Sequence, residues 1–298
     1  LLANETASAV QEKFPGRMVG MYAYNEHSPP PNLPGHPGVV VSVATAFIHG
    51  GFSVDQLMNG WGAKVRTLGV REYYSVNTWD RDLPGAARGG NLTYLGESIP
   101  RFHAAGARFL SAESSDNFGP NGLGYYVAAR LLWDVSEAAS LENLVEDFLE
   151  RSFGAAKEPM RAFYKLLEGS KRKPLCDDLL GRMYGHLASA LAAVPHQEAM
   201  QQRILDLALY TRHAELFSDY TLATGPERQA AFERLIRHAW RIRETGMVHT
   251  LALYRDLDNR DKAVFIPSEA KWTVPEKKNP WKQGENYAAA EIRQMIEE

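Results

Sequence analysis

Glu113 is the residue whose type and place most directly suggest chemistry. It follows a short apolar run in the segment FLSAESSDNFG, residues 109–119. At the C-terminal end of a strand in a parallel α/β barrel, a carboxylate points into the shared pocket. Glycoside hydrolysis typically needs two carboxylates flanking the scissile bond. Enclosure by aromatics raises the pKa of one of them, so that it gives a proton near neutrality. The plainer alternative is that Glu113 caps the following loop or pairs with an arginine. Asn77, Trp79 and Asp80 follow a second such run. An indole on a loop offers a flat apolar face to the C–H side of a sugar ring, and Asn and Asp bind hydroxyls. A buried Trp79, with Asp80 paired to Arg81 or capping a turn, fits as well. Asn25, Glu26 and His27 follow a third run. Glu26 offers a second carboxylate there, although a solvated loop ahead of the prolines Pro29 to Pro31 is the simpler reading. Tyr73 and Tyr74 alternate across a strand, so one faces the strand's inner side and the other the helices. Spacing alone does not say which. Tyr74 joins the substrate-binding candidates, as does Asn117 in the loop after Glu113.

Other chemistries find little support. The nine histidines show no metal spacing, His238 and His249 stand alone in helical stretches, and no H-E-x-x-H occurs. No metal and no cofactor is expected. A G-x-S-x-G elbow is missing, as are the glycine fingerprints of dinucleotide and phosphate sites. The single cysteine, Cys176, rules out an internal disulfide and a Cys-rich zinc site. The run Lys171-Arg172-Lys173 is too short for nucleic acid and reads as a solvated turn. Arg234, Arg237, Arg241 and Arg243 alternate with apolar residues, as on the wet face of a helix. With 33 basic against 36 acidic residues and a net charge of -3, the chain is not a basic nucleic-acid binder. At 45% hydrophobic and 23% charged it has the composition of a soluble globular protein. It holds no run of about 18 apolar residues, so no membrane-spanning helix is expected.

The elements that must position these residues alternate along the first part of the chain. Helical spacing covers 4–14. Apolar runs at 18–24 (MVGMYAY) and 39–46 (VVVSVATA) read as strands. A helix capped by Ser53 runs to Leu68, and VREYYSV at 70–76 is a third strand. A helix at 92–105 stops at Gly106, ARFLS at 107–111 is a fourth strand, and 122–133 is again helical. Strands separated by helices imply parallel βα units. A polar, aromatic-rich loop after each strand favours a barrel over a doubly wound sheet. Near residue 134 the composition turns to Ala, Leu, Glu and Arg. Helices are expected at 140–153 (a weak capping box, Ser140 with Asn143), 155–167, 177–194, 198–223 and from Pro226 to about Tyr254. An irregular tail covers 256–283, and a last helix begins near Ala288. The expected fold is α/β: residues 1–134 form the C-terminal half of a (β/α)₈ TIM-like barrel, and 135–298 an α-helical domain with an irregular tail. Half a barrel leaves two open sheet edges. The chain opens at Leu1 without Met or an export segment and closes inside a helix. Both ends therefore read as cut, and an upstream half-barrel segment or a partner chain is expected.

Several blocks together resemble a known family. GMYAYNEHSPPPN followed by GVVVSVATAF is similar to the second half of the barrel in the bacterial domain-of-unknown-function family 4838. So are REYYSVNTWDRDLPG, LGESIPRFHAAGARFLSAES, GLGYYVAARLLWD and LVEDFLERSFGAAKEPMRAFY, in that order. The resemblance covers roughly residues 1–168. It implies a carbohydrate-active protein, because part of the family is classed as glycoside hydrolase family 163, endo-acting β-N-acetylglucosaminidases of bacteria that feed on host N-glycans. It also implies a (β/α)₈ barrel followed by helices, and a secreted, periplasmic or cell-surface location. Glu113 matches the strand-terminal Glu of the family. The upstream half barrel, where a partner carboxylate would be expected, is not in this sequence. The expected activity is glycoside hydrolysis of GlcNAc-containing glycans. The alternative is a non-catalytic glycan-binding protein on the same face.

Overall fold

The computed structural model describes residues 1–170 and 173–297; Lys171 and Arg172 of the basic run lie outside them. In chain order the first elements are α1 (Leu2–Lys13), β1 (Val19–Asn25), β2 (Val39–Ile48), α2 (Val54–Gly62), β3 (Thr67–Tyr73), α3 (Asn77–Asp80), α4 (Leu92–Ala104), β4 (Ala107–Glu113) and α5 (Gly122–Trp133). Then follow α6 (Leu141–Phe153), α7 (Lys157–Leu167), α8 (Asp177–Ala193), α9 (Glu198–Leu222), α10 (Gly225–Arg241), α11 (Thr250–Arg260) and α12 (Ala289–Glu297). The chain divides into two compact units. The sheet unit holds residues 1–74, 94–113 and 128–139, and the helical unit holds 75–93, 114–127 and 140–298.

In the sheet unit the four strands lie in the order β1-β2-β3-β4, every pair parallel. Alternate residues sort the two faces. Val39, Val41 and Val43 of β2 and Leu68 and Val70 of β3 enter the core, where they meet Ala7, Leu57, Met58, Trp61 and Phe102 from the helices. The intervening residues, Tyr22, Ser42, Gly69, Arg71 and Tyr73, form the second face. Register places Ser111 beside Arg71 and Glu113 beside Tyr73 on that face. Tyr22 and Phe109 are exposed on it. The far end of the Phe109 ring lies against Gly69, where an added Cβ would come within 2.3 Å of it. Glycine here admits the ring.

Local signals account for some element ends and fail at others. Ser53 caps α2 in a full capping box with Gln56. Ser140 makes no side-chain cap bond, so the box suggested by Ser140 and Asn143 does not form. Helix α2 ends six residues before Leu68. Thr67, Leu68 and Gly69 pair with β2 instead, and strand pairing overrides the helical spacing of that stretch. The long helix expected from Pro226 to Tyr254 is two helices. Gly246 adopts φ +68 between α10 and α11. The Thr250 hydroxyl donates to the Ala239 carbonyl at 2.8 Å and holds the turn.

Candidate functional site

Glu113 is the last residue of β4, and its side chain is 43% exposed. Its Oε2 lies 2.6 Å from Arg71 Nη2, from the neighbouring strand. The Tyr74 backbone N–H donates to the Glu113 carbonyl at 2.8 Å, which extends the pairing one residue past β3. The Arg71 guanidinium stands 5.2 Å from the Tyr73 ring centre, within cation–π range. Tyr73 meets Phe47 edge-on at 5.9 Å, and Phe47 meets Tyr24 at 5.5 Å. A row of three rings thus leads to an ion pair at the C-terminal ends of the strands. Phe47 is exposed and holds φ +55. Burial is the main cause that raises the Tyr73 hydroxyl, and Tyr24 adds to it.

The opposite face carries a different carboxylate. Glu72 is buried, and its Oε1 accepts from the Thr45 hydroxyl at 2.6 Å and the Tyr73 N–H at 2.7 Å. Its Oε2 accepts from the Tyr94 hydroxyl. It ties β2, β3 and α4 together. Tyr74 is buried on this side, near Glu72 and Tyr94. Burial and then the Glu72 charge push its hydroxyl well above the usual range. Of the two tyrosines, Tyr73 is the one beside Arg71. Asn25 ends β1 in the left-handed region, φ +50, and its carbonyl accepts from the Ser28 N–H and hydroxyl. Glu26 and His27 are exposed on that turn.

In the helical unit, Asn77, Asp80 and Asn117 meet in a buried knot with Asp82. Asp80 Oδ2 accepts from the Ser75 hydroxyl at 2.7 Å and the Val76 N–H at 3.1 Å, and its Oδ1 accepts from the Asp82 N–H at 2.9 Å. Asp82 Oδ2 accepts from Asn77 Nδ2 at 2.7 Å and the His249 N–H at 3.0 Å. Asn117 Nδ2 donates to both Ser75 Oγ and Asp82 Oδ1, each at 2.7 Å, and Asn117 Oδ1 accepts from the Tyr125 hydroxyl at 2.8 Å. Arg81 and Asp82 are both left-handed, at φ +58 and +56. That conformation costs about 1–2 kcal/mol for a residue with a Cβ. The knot and the Arg81–Asp256 ion pair offset the cost. Burial, then the Asp82 charge, push the Asp80 carboxyl up to about 6. Burial holds His213 below the usual imidazole range. Each carboxylate of the knot is buried and accepts three hydrogen bonds within it, so the two position the loop. Trp79, inside the same turn, is 44% exposed.

Sequence reading missed Arg71, although its place two residues before Tyr73 puts both on one strand face. It also missed Phe47 and Asp82. Among the described residues, no group of three or more His, Cys, Asp or Glu side chains converges to hold a metal, and no helix is long and apolar enough to cross a membrane.

A parallel four-stranded sheet with an open carboxylate at its C-terminal edge, followed by many helices, defines a mixed α/β protein. The chain belongs to the family described as a domain of unknown function, DUF4838, whose model matches residues 1–165. No curated protein and no solved structure matches the chain.

Proposed function

We propose that the chain is the carbohydrate-processing part of an exported glycoside hydrolase acting on GlcNAc-containing glycans, with Glu113 as a catalytic carboxylate. One observation carries the reading. Glu113 is open to solvent at the C-terminal end of a parallel strand, beside a row of aromatic rings. Sugar rings present apolar C–H faces and hydroxyls together, and such a row with a carboxylate and a guanidinium at its end matches both. In this reading the sheet is the second half of a (β/α)₈ barrel. Parallel sheets are normally covered on both faces. The exposed Tyr22 and Phe109 support a first half supplied by an upstream segment or a partner chain, which also brings the second carboxylate.

The Arg71–Glu113 pair favours a second reading, a glycan-binding protein without hydrolysis. A carboxylate held by a guanidinium is an acceptor for hydroxyls. The two readings part on Glu113→Gln in the intact protein, assayed for both binding and turnover of an N-glycan. Loss of turnover with binding kept supports hydrolysis. Binding by the wild type with no turnover supports the second reading.

A further inference from the structure

The buried knot carries surface side chains that the proposed function does not use. Phe118 follows Asn117 directly and is 59% exposed. Its ring packs edge-on against Tyr125 at 5.5 Å, and the Tyr125 hydroxyl returns to Asn117. Asp116 precedes Asn117. His249 is tied to the knot by its backbone N–H on Asp82. The Gly119 N–H donates to the Gly246 carbonyl at 3.0 Å, joining the loop of Phe118 to the segment of His249. His249 Nε2 and Asp116 Oδ2 lie 3.6 Å apart, beyond a direct hydrogen bond. Neither side chain has another hydrogen bond among the described residues.

We propose that Phe118, Asp116 and His249 form a carbohydrate-binding subsite on the helical unit. An isolated exposed phenylalanine needs no explanation. This one stands on backbone fixed by a buried hydrogen-bond network, beside an imidazole and a carboxylate whose polar atoms remain open. An aromatic face stacks on the C–H side of a sugar ring, while an acceptor and a donor close together suit neighbouring hydroxyls. Backbone already fixed loses little freedom on binding. The ligand class is a neutral oligosaccharide with an apolar ring face and adjacent hydroxyls, such as a GlcNAc oligomer. The inference rests on the glycan reading of the protein and adds a subsite to it.

The test is calorimetric titration of the intact protein with chitotetraose and with an N-glycan core, using Phe118→Ala, His249→Ala and Trp133→Ala. Trp133 is a highly exposed tryptophan of the sheet unit and controls for loss of any surface aromatic ring. Unchanged melting temperatures establish that the variants are folded. Phe118→Ala and His249→Ala are each expected to weaken binding at least tenfold, with Trp133→Ala within twofold of wild type. Equal affinity in all three variants overturns the subsite, and the glycan reading then still stands if the wild type turns over glycan. Turnover unaffected by Glu113→Gln, with binding lost in Phe118→Ala, removes the role of Glu113 and keeps the subsite. A wild type that binds neither glycan overturns both.

Discussion

Arg71 Nη2 and Glu113 Oε2 lie 2.6 Å apart across neighbouring parallel strands, on the face of the sheet away from its core. Glu113 is well exposed, so the pair contributes only about 0–1 kcal/mol to folding. Its consequence lies in where it holds the carboxylate. Arg71→Ala is therefore expected to change the unfolding free energy by less than about 1 kcal/mol. Glycan turnover should fall at least tenfold in the same variant. A large loss of stability with unaltered turnover would mark the pair as structural.

The Asp80 carboxyl gives a pH signature with a definite sign. Its folded pKa, about 6, lies above the unfolded value of about 3.9. Between these values the folded chain holds a proton that the unfolded chain has released. Stability from this group therefore falls as pH rises from about 4 to about 6, by up to about 3 kcal/mol, and is level above. Asp80→Asn removes the titration. Urea unfolding of wild type and variant should show a difference that grows in favour of the variant across that window. A difference independent of pH would contradict the assignment.

Glu72 is expected to matter for folding rather than chemistry. Glu72→Leu removes the buried acceptor shared by the Tyr73 N–H and the Thr45 and Tyr94 hydroxyls. A loss of at least about 2 kcal/mol should appear in denaturant melts. Glu72→Gln should lose less than half as much, because its amide oxygen can keep the Tyr73 N–H and the Thr45 hydroxyl while the Tyr94 hydroxyl rotates to accept from the amide nitrogen.

Backbone approach in the helical unit can be tested at one atom. A Cβ on Gly124 would come within 1.8 Å of the Gly89 carbonyl oxygen, a backbone atom that has no rotamer to change. Gly124→Ala should cost about 1–3 kcal/mol or more. Gly181, exposed in α8 with nothing within 4 Å of its added Cβ, is the control. Gly181→Ala should stabilise by about 0.5–1 kcal/mol. Thermal melts of the two variants should move in opposite directions.

The strands and Glu113 were legible because their signals are local. Valine-rich β2 and the apolar run of β4 announce themselves, and Glu113 stands at the end of that run. The pairing of Glu113 with Arg71 was not legible as such. It depends on the register of β3 against β4, including a shift between Leu68 and Val70, which no spacing within one strand records. The knot was harder still. Asn77, Asp80 and Asn117 read as ligands for a sugar, yet they are buried and hydrogen-bonded within the knot. What buries them is the paired left-handed conformation of Arg81 and Asp82, neither of which is glycine, and a bond from His249, 167 residues further on. The interruption between α10 and α11 did have a signal, Gly246, hidden inside an otherwise helical pattern.

In the proposed function Glu113 takes part in glycan cleavage. The most direct measurement is mass spectrometry of the products released from a GlcNAc-containing N-glycan by the intact wild-type protein and by Glu113→Gln. The expected result is a new reducing-end product with the wild type and a yield at least about a hundredfold lower with the variant, consistent with the usual weight of a general acid–base group. Equal product yield from both proteins would contradict it.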